Sequence, residues 1–191
     1  TNGKGAVHRL TLLELQRLDA GSWFSPEYAG ETLPTLEQVF RILPHDVWVN
    51  VEVKHSYWGK IEQPLVQLIR QFGRVDRTIV SSFRYPSLSR LQRLEPELRI
   101  GLLYSSLWRR QQARMWVKST DVYSLHPKRT LLGAKSILQA IRTGMPVFPY
   151  TINREPDMHA ALDQGAAGII TDYPGRLQRV LQQRIESSIA P

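Results

Sequence analysis

The sequence contains no cysteine. That excludes disulfides and thiolate metal sites, so any metal must be held by oxygen or histidine ligands. There is no run of about 18 apolar residues, and hence no transmembrane helix is expected. Thr1-Asn2-Gly3-Lys4-Gly5 lacks the apolar stretch of a secretory signal. Nothing after a strand candidate matches G-x-G-x-x-G or G-x-x-x-x-G-K-[ST], which removes the common glycine-rich phosphate turns. Low-complexity tracts and Pro/Ser-rich linkers are missing as well. With 42% hydrophobic and 22% charged residues, the 191-residue chain reads as one ordered domain over 1–191.

What the chain does have is positive charge, a net +8. The basic residues are spread widely, so nucleic acid is not expected as a partner. The densest group runs from Trp108 to Lys118 and includes Arg109, Arg110 and Arg114. On a helix this is a solvated basic face, and it could also touch anionic lipid or a phosphate-rich substrate, which leaves peripheral membrane contact open. A cytoplasmic location is expected, with a periplasmic one left open.

Short β-branched runs alternate with amphipathic helical stretches along most of the chain. The strand candidates are 47–54, 78–83, 99–104, 121–126, 146–152 and 168–172. Ile61, Leu65, Leu68, Ile69 and Phe72 make one helical stripe, and Leu88, Leu91 and Leu94 make another. This alternation predicts parallel strands with helical crossovers. Thr35 reads as a helix N-cap with Gln38 within reach of a capping box, and Asp172 reads as an N-cap before Pro174. The opening stretch, 1–32, behaves as an inserted helical lobe. The six strand candidates fit an open sheet, or about six of the eight strands that close a TIM-type (β/α) barrel.

The strand 47–54 carries unusual residues. Alternation places Val47, Val49, Val51 and Val53 on one face and Trp48, Asn50, Glu52 and Lys54 on the other. Ionisable groups on an inner face need a partner or a metal. In a barrel, the C-terminal end of a strand is where active sites sit. A plain Glu52–Lys54 ion pair at the barrel mouth would satisfy the same pattern.

Leu33-Pro34-Thr35-Leu36-Glu37, followed by Val49-Asn50-Val51-Glu52-Val53-Lys54, resembles the "iPtLeevl … lnIEiK" pair of glycerophosphodiester phosphodiesterases. Val80-Ser81-Ser82-Phe83 is similar to their "vivSSF" strand. The segment 147–153 is similar to "v.vWTVN", with Tyr150 in place of the usual tryptophan. Residues 165–174 are similar to "GvDGIiTDyP", with Ala167 at the usual aspartate. The opening residues resemble the stretch after the family's "HD..L.RTT" motif and its inserted lobe.

This resemblance implies an α/β, TIM-type barrel whose first two strands, with two histidines and two metal-binding carboxylates, would precede Thr1. It implies a phosphoric diester hydrolase that releases glycerol 3-phosphate and an alcohol, using a divalent cation, Mg²⁺ or Ca²⁺. Glu52 would be a metal ligand and Lys54 a catalytic contact to the phosphate. Phe83, Tyr150 and His126 are the further substrate-binding candidates, for a small glycerophosphodiester. The alternative is an inactive remnant of the fold that acts as a binding or structural protein.

Overall fold

The computed structural model describes residues 1–106, 109, 111–112, 115–116 and 121–189. The chain divides into two compact units, 1–47 and 48–191. The expected lobe of 1–32 therefore belongs to a first unit that runs on to Val47.

In the first unit, helix α1 (Leu12–Gln16) and helix α2 (Leu36–Ile42) each open with a capping box. Thr35 Oγ1 accepts from the Gln38 N–H at 3.2 Å while Gln38 Oε1 accepts from the Thr35 N–H at 2.8 Å. Two otherwise unpaired backbone donors are satisfied in this way. The loop between the helices is tied by Asp19, whose carboxylate accepts from the N–H groups of Gly21, Ser22 and Gly30 and from Ser22 Oγ. Those bonds, led by the ones from Ser22 and Gly30, pull its carboxyl far below the usual range.

The second unit holds a parallel sheet ordered β1 (Val49–Glu52), β2 (Thr78–Ser82), β3 (Arg99–Tyr104) and β4 (Ser124–Pro127). Two further extended segments continue it. Phe148 N–H donates to Leu125 O at 2.9 Å and Tyr150 N–H to Pro127 O at 2.9 Å. Beyond them, Ala167 N–H donates to Val147 O and Ile170 N–H to Pro149 O, both at 3.0 Å. The six lanes expected from the sequence are thus present in sequential order, the last two held by fewer hydrogen bonds than a regular strand.

Helices α3 (Glu62–Gln71), α4 (Tyr85–Leu94), α5 (Lys135–Arg142), α6 (Glu155–Asp163) and α7 (Pro174–Ile189) alternate with the lanes. α4 lies against β2 and β3, α3 packs on α4, and α6 packs on α7. The predicted stripes do the burying: Leu65, Ile69, Leu88 and Leu91 are all in the core, whereas Leu94 at the helix end is 40% exposed. At about 25 cal/mol per Å² of apolar surface, each buried leucine or isoleucine contributes roughly 1.5–3 kcal/mol before entropy is charged against it. This is the α/β architecture of a TIM-type barrel.

One charge lies inside this helical layer. Glu62 is 1% exposed and accepts from Ser87 Oγ at 2.7 Å and from Arg90 Nε at 3.0 Å. Burial by itself would raise its carboxyl, but the hydrogen bonds from Ser87, its own N–H and Arg90 outweigh that and hold it below the ordinary value.

Candidate active site

β1 is one edge of the ordered strands, and its side chains alternate as the sequence predicts. Trp48, Val49 and Asn50 all border a cavity of about 520 Å³, lined also by Ile79, His126, Phe148 and Ile170. Glu52 and Lys54 follow on the same side toward the C-terminal end. Their charges are 3.9 Å apart, and the side chains are 34% and 82% exposed respectively. Neither is buried, contrary to an inner-face pair that must neutralise itself. At that separation and exposure the attraction is worth little, so both groups are available to a ligand.

Phe83, just beyond β2, meets Tyr150 edge to face, with ring centroids 6.1 Å apart and planes at 89°. The Tyr150 hydroxyl donates to Tyr104 O at 3.2 Å. Burial, and after it the nearby Glu52 carboxylate, raise the Tyr150 phenol. Tyr150 therefore stays protonated at neutral pH and senses the charge on Glu52. Glu52 thus lies near both Lys54 and Tyr150, and Tyr150 in turn meets Phe83.

His126 does not join them. It is 1% exposed on β4, with Nε2 2.9 Å from Ser124 Oγ and its ring edge-to-face with Phe148 at 5.4 Å. Gly101 leaves the room it fills, since a Cβ there would lie 2.8 Å from His126 Nε2. Burial pushes its pKa down to about 4, so the ring is neutral at pH 7. The structure corrects the expected substrate contact to a packed wall residue of the cavity. A period of two gives the face of a strand but not the depth along it.

One residue of the basic run, expected on a solvated face or against lipid or a phosphate-rich substrate, lies beside this wall. The Arg109 guanidinium lies 5.8 Å from the centre of the Phe83 ring, and its carbonyl accepts from the Tyr85 hydroxyl at 3.3 Å. No motif marks it, because a helical turn outside the sheet and a long-range tyrosine bond position it. Arg110, Arg114 and most of the basic run lie outside the described residues. Asp172 also differs from expectation. Its carboxylate accepts from Asn153 Nδ2 at 2.8 Å, while Asn153 Oδ1 accepts from the Asp172 N–H, so the pair staples two lane ends together.

Residues 1–176 match the glycerophosphoryl diester phosphodiesterase family. The chain belongs to that family. It is 35% identical over 190 residues to a glycerophosphodiester phosphodiesterase of Caldanaerobacter subterraneus subsp. tengcongensis, covering 96% of this chain and 76% of that one. A glycerophosphodiester phosphodiesterase of Bacillus altitudinis is 31% identical, with 96% and 76% covered. Among solved structures, an Oleispira antarctica phosphodiesterase in complex with the product sn-glycerol-3-phosphate superposes with a TM-score of 0.82 at 27% identity, covering 95% of this chain and 74% of that one. The chain thus spans about three-quarters of each of these glycerophosphodiester phosphodiesterase relatives.

A hard divalent cation takes about six oxygen ligands, several of them carboxylate. Glu52 suits such a cation as one hard-oxygen ligand at the mouth. Among the described residues no group of three His, Asp or Glu converges on a point. Glu52 is therefore a carboxylate of suitable chemistry, and the described residues complete no metal site around it.

Proposed function

We propose that this chain is part of a metal-dependent hydrolase that cleaves glycerophosphodiesters to glycerol 3-phosphate and an alcohol. The observation that carries the reading is the juxtaposition of Glu52 and Lys54 at the C-terminal end of β1, in reach of the Phe83–Tyr150 wall. The family membership and the glycerol 3-phosphate in the Oleispira antarctica relative support it.

In this reaction the oxygen of water forms a bond to phosphorus, the bond from phosphorus to the alcohol oxygen breaks, and the alcohol leaves carrying a proton. Lys54, a compact point charge mostly in solvent, turns toward the phosphate and offsets the negative charge growing on its oxygens. Glu52 would supply one oxygen to Mg²⁺ or Ca²⁺, and the cation would polarise the phosphoryl oxygens and favour the attacking nucleophile. Phe83 and Tyr150 form a flat apolar wall for the carbon backbone of the glycerol. Arg109 adds positive charge beside that wall, where a second anionic oxygen can be met.

The second reading is a binding protein without turnover, favoured by the described residues bringing no group of three His, Asp or Glu to one point. Product analysis separates the two. With glycerophosphoglycerol as substrate, the protein expressed from its complete reading frame should release glycerol 3-phosphate and glycerol, and a chelator should abolish the release. Binding of glycerol 3-phosphate with no turnover at any divalent-metal concentration would favour the second reading.

A further inference from the structure

The loop after β1 carries the most exposed large hydrophobic side chain among the described residues. Trp58 is 97% exposed, four residues beyond Lys54. Its backbone is in the left-handed region, as are its neighbours: Tyr57 has φ 45°, Trp58 φ 63° and Gly59 φ 88°. A bulky residue rarely adopts that conformation, and two in a row require outside support. Several bonds supply it. His55 Nδ1 accepts from the Tyr57 N–H at 3.0 Å, and Ser56 O accepts from the N–H groups of Gly59 and Lys60. Ser56 Oγ accepts from Arg90 at 3.2 Å, which ties the loop to α4. The fold thus holds the indole in water.

The charge around it is positive. Lys54 and Lys60 flank the loop, and Arg84, just before α4, and Arg90, midway along it, line a hollow together with Ser56 of the loop. The carboxylates in the same neighbourhood are Glu52, at the mouth, and Glu62, buried and paired with Arg90. Met115, 59% exposed, lies across the same 310 Å³ hollow from Ser56.

We infer that the Trp58 loop docks the C-terminal face of the sheet on an anionic lipid bilayer. An indole is suited to the boundary between headgroups and acyl chains, with an apolar body and one N–H donor. Surrounding lysines and arginines add attraction to anionic headgroups, and together they supply the two signals that stable peripheral binding needs. A single-stranded nucleic acid would call for successive exposed aromatic platforms along a groove, whereas here Trp58 stands exposed while Phe83 and Trp116, beside the neighbouring hollow, are half-buried and Tyr85 is buried. The inference goes beyond the hydrolase reading and does not depend on it, because its test measures binding alone.

Cosedimentation with vesicles of equimolar phosphatidylcholine and phosphatidylglycerol should capture the protein at low salt and lose it at high salt. Trp58→Ala should weaken that partition about tenfold, the loss of one interfacial aromatic anchor, with an unchanged melting temperature. Lys60→Glu should weaken it as well. In Trp58→Phe, a blue-shifted component of tryptophan emission on vesicle binding should disappear. Equal capture of wild type and Trp58→Ala would overturn the inference, as would equal partition onto pure phosphatidylcholine. So would a Trp58-dependent dimer in the absence of lipid, or tighter Trp58-dependent binding to single-stranded DNA than to vesicles.

Discussion

Replacing Arg90 by leucine removes the cation that faces the buried Glu62. In the native packing Glu62 Oε1 is 2.9 Å from one Arg90 nitrogen and 3.0 Å from another, and Oε2 has no hydrogen-bond partner among the described residues. Truncating one member of a buried ion pair costs about 3–5 kcal/mol, because the remaining charge is left without compensation. The Arg90 side chain is 38% exposed, so water already screens part of the interaction and roughly 2–4 kcal/mol is the reasoned range. For a domain of this size that is about 5 to 15 °C in Tm. The sign with pH follows from the same contacts. The native Glu62 carboxyl is held below its ordinary value, so its contribution is present above the usual carboxylate range and is lost as pH falls through the lower folded value. In Arg90→Leu the burial remains and the guanidinium is gone, so the carboxyl rises and protonation relieves the strain. The gap between wild type and variant, followed by circular-dichroism melts, should therefore shrink from pH 7 to pH 4. The double variant Glu62→Leu/Arg90→Leu should recover to within about 1 kcal/mol of wild type. A single variant that loses less than about 0.5 kcal/mol, or loses the same amount at both pH values, refutes the reasoning.

His126, pushed down to about 4 by burial, should titrate near that value by NMR. Its folded pKa lies below the unfolded one, so it contributes stability above about pH 6.5 that declines toward pH 4, by up to roughly 3 kcal/mol. An ordinary imidazole titration would show that the ring is solvated. Gly101→Ala should destabilise by about 1–3 kcal/mol in a denaturant titration, since the new methyl meets His126 at 2.8 Å and Ile79 at 3.2 Å. Tyr85→Phe removes a hydroxyl that donates to Leu103 O at 3.1 Å and Arg109 O at 3.3 Å. It should cost about 1 kcal/mol in the same titration, and it should raise KM for glycerophosphodiesters more than it lowers kcat if Arg109 is displaced.

The lanes were legible because each β-branched run is bounded by helical stripes, and the stripes at Leu65, Ile69, Leu88 and Leu91 are buried as their spacing predicts. The capping box at Thr35 is local chemistry, complete within four residues, and was readable for that reason. The Glu52–Lys54 pairing was readable because alternation puts both on one side of β1. Features set by distant partners were not. Glu62 reads as a solvent residue at the start of a helix until Ser87 and Arg90, from the next helix, are seen to cover it. Asp172 looked like a helix cap, but Asn153, nineteen residues earlier, takes its carboxylate instead. The Trp58 conformation has no sequence signal, because glycine or asparagine is the residue expected at positive φ.

The most direct test of the proposed chemistry is kcat/KM for release of glycerol 3-phosphate from glycerophosphoglycerol, compared between wild type and Glu52→Ala under saturating Mg²⁺ or Ca²⁺. The Glu52 side chain is partly exposed at the mouth and its ion pair is weak, so the variant should melt within about 1 kcal/mol of wild type. Its kcat/KM should fall by about two orders of magnitude or more, with a weakened dependence on metal concentration. Full activity in a folded Glu52→Ala variant would contradict the account.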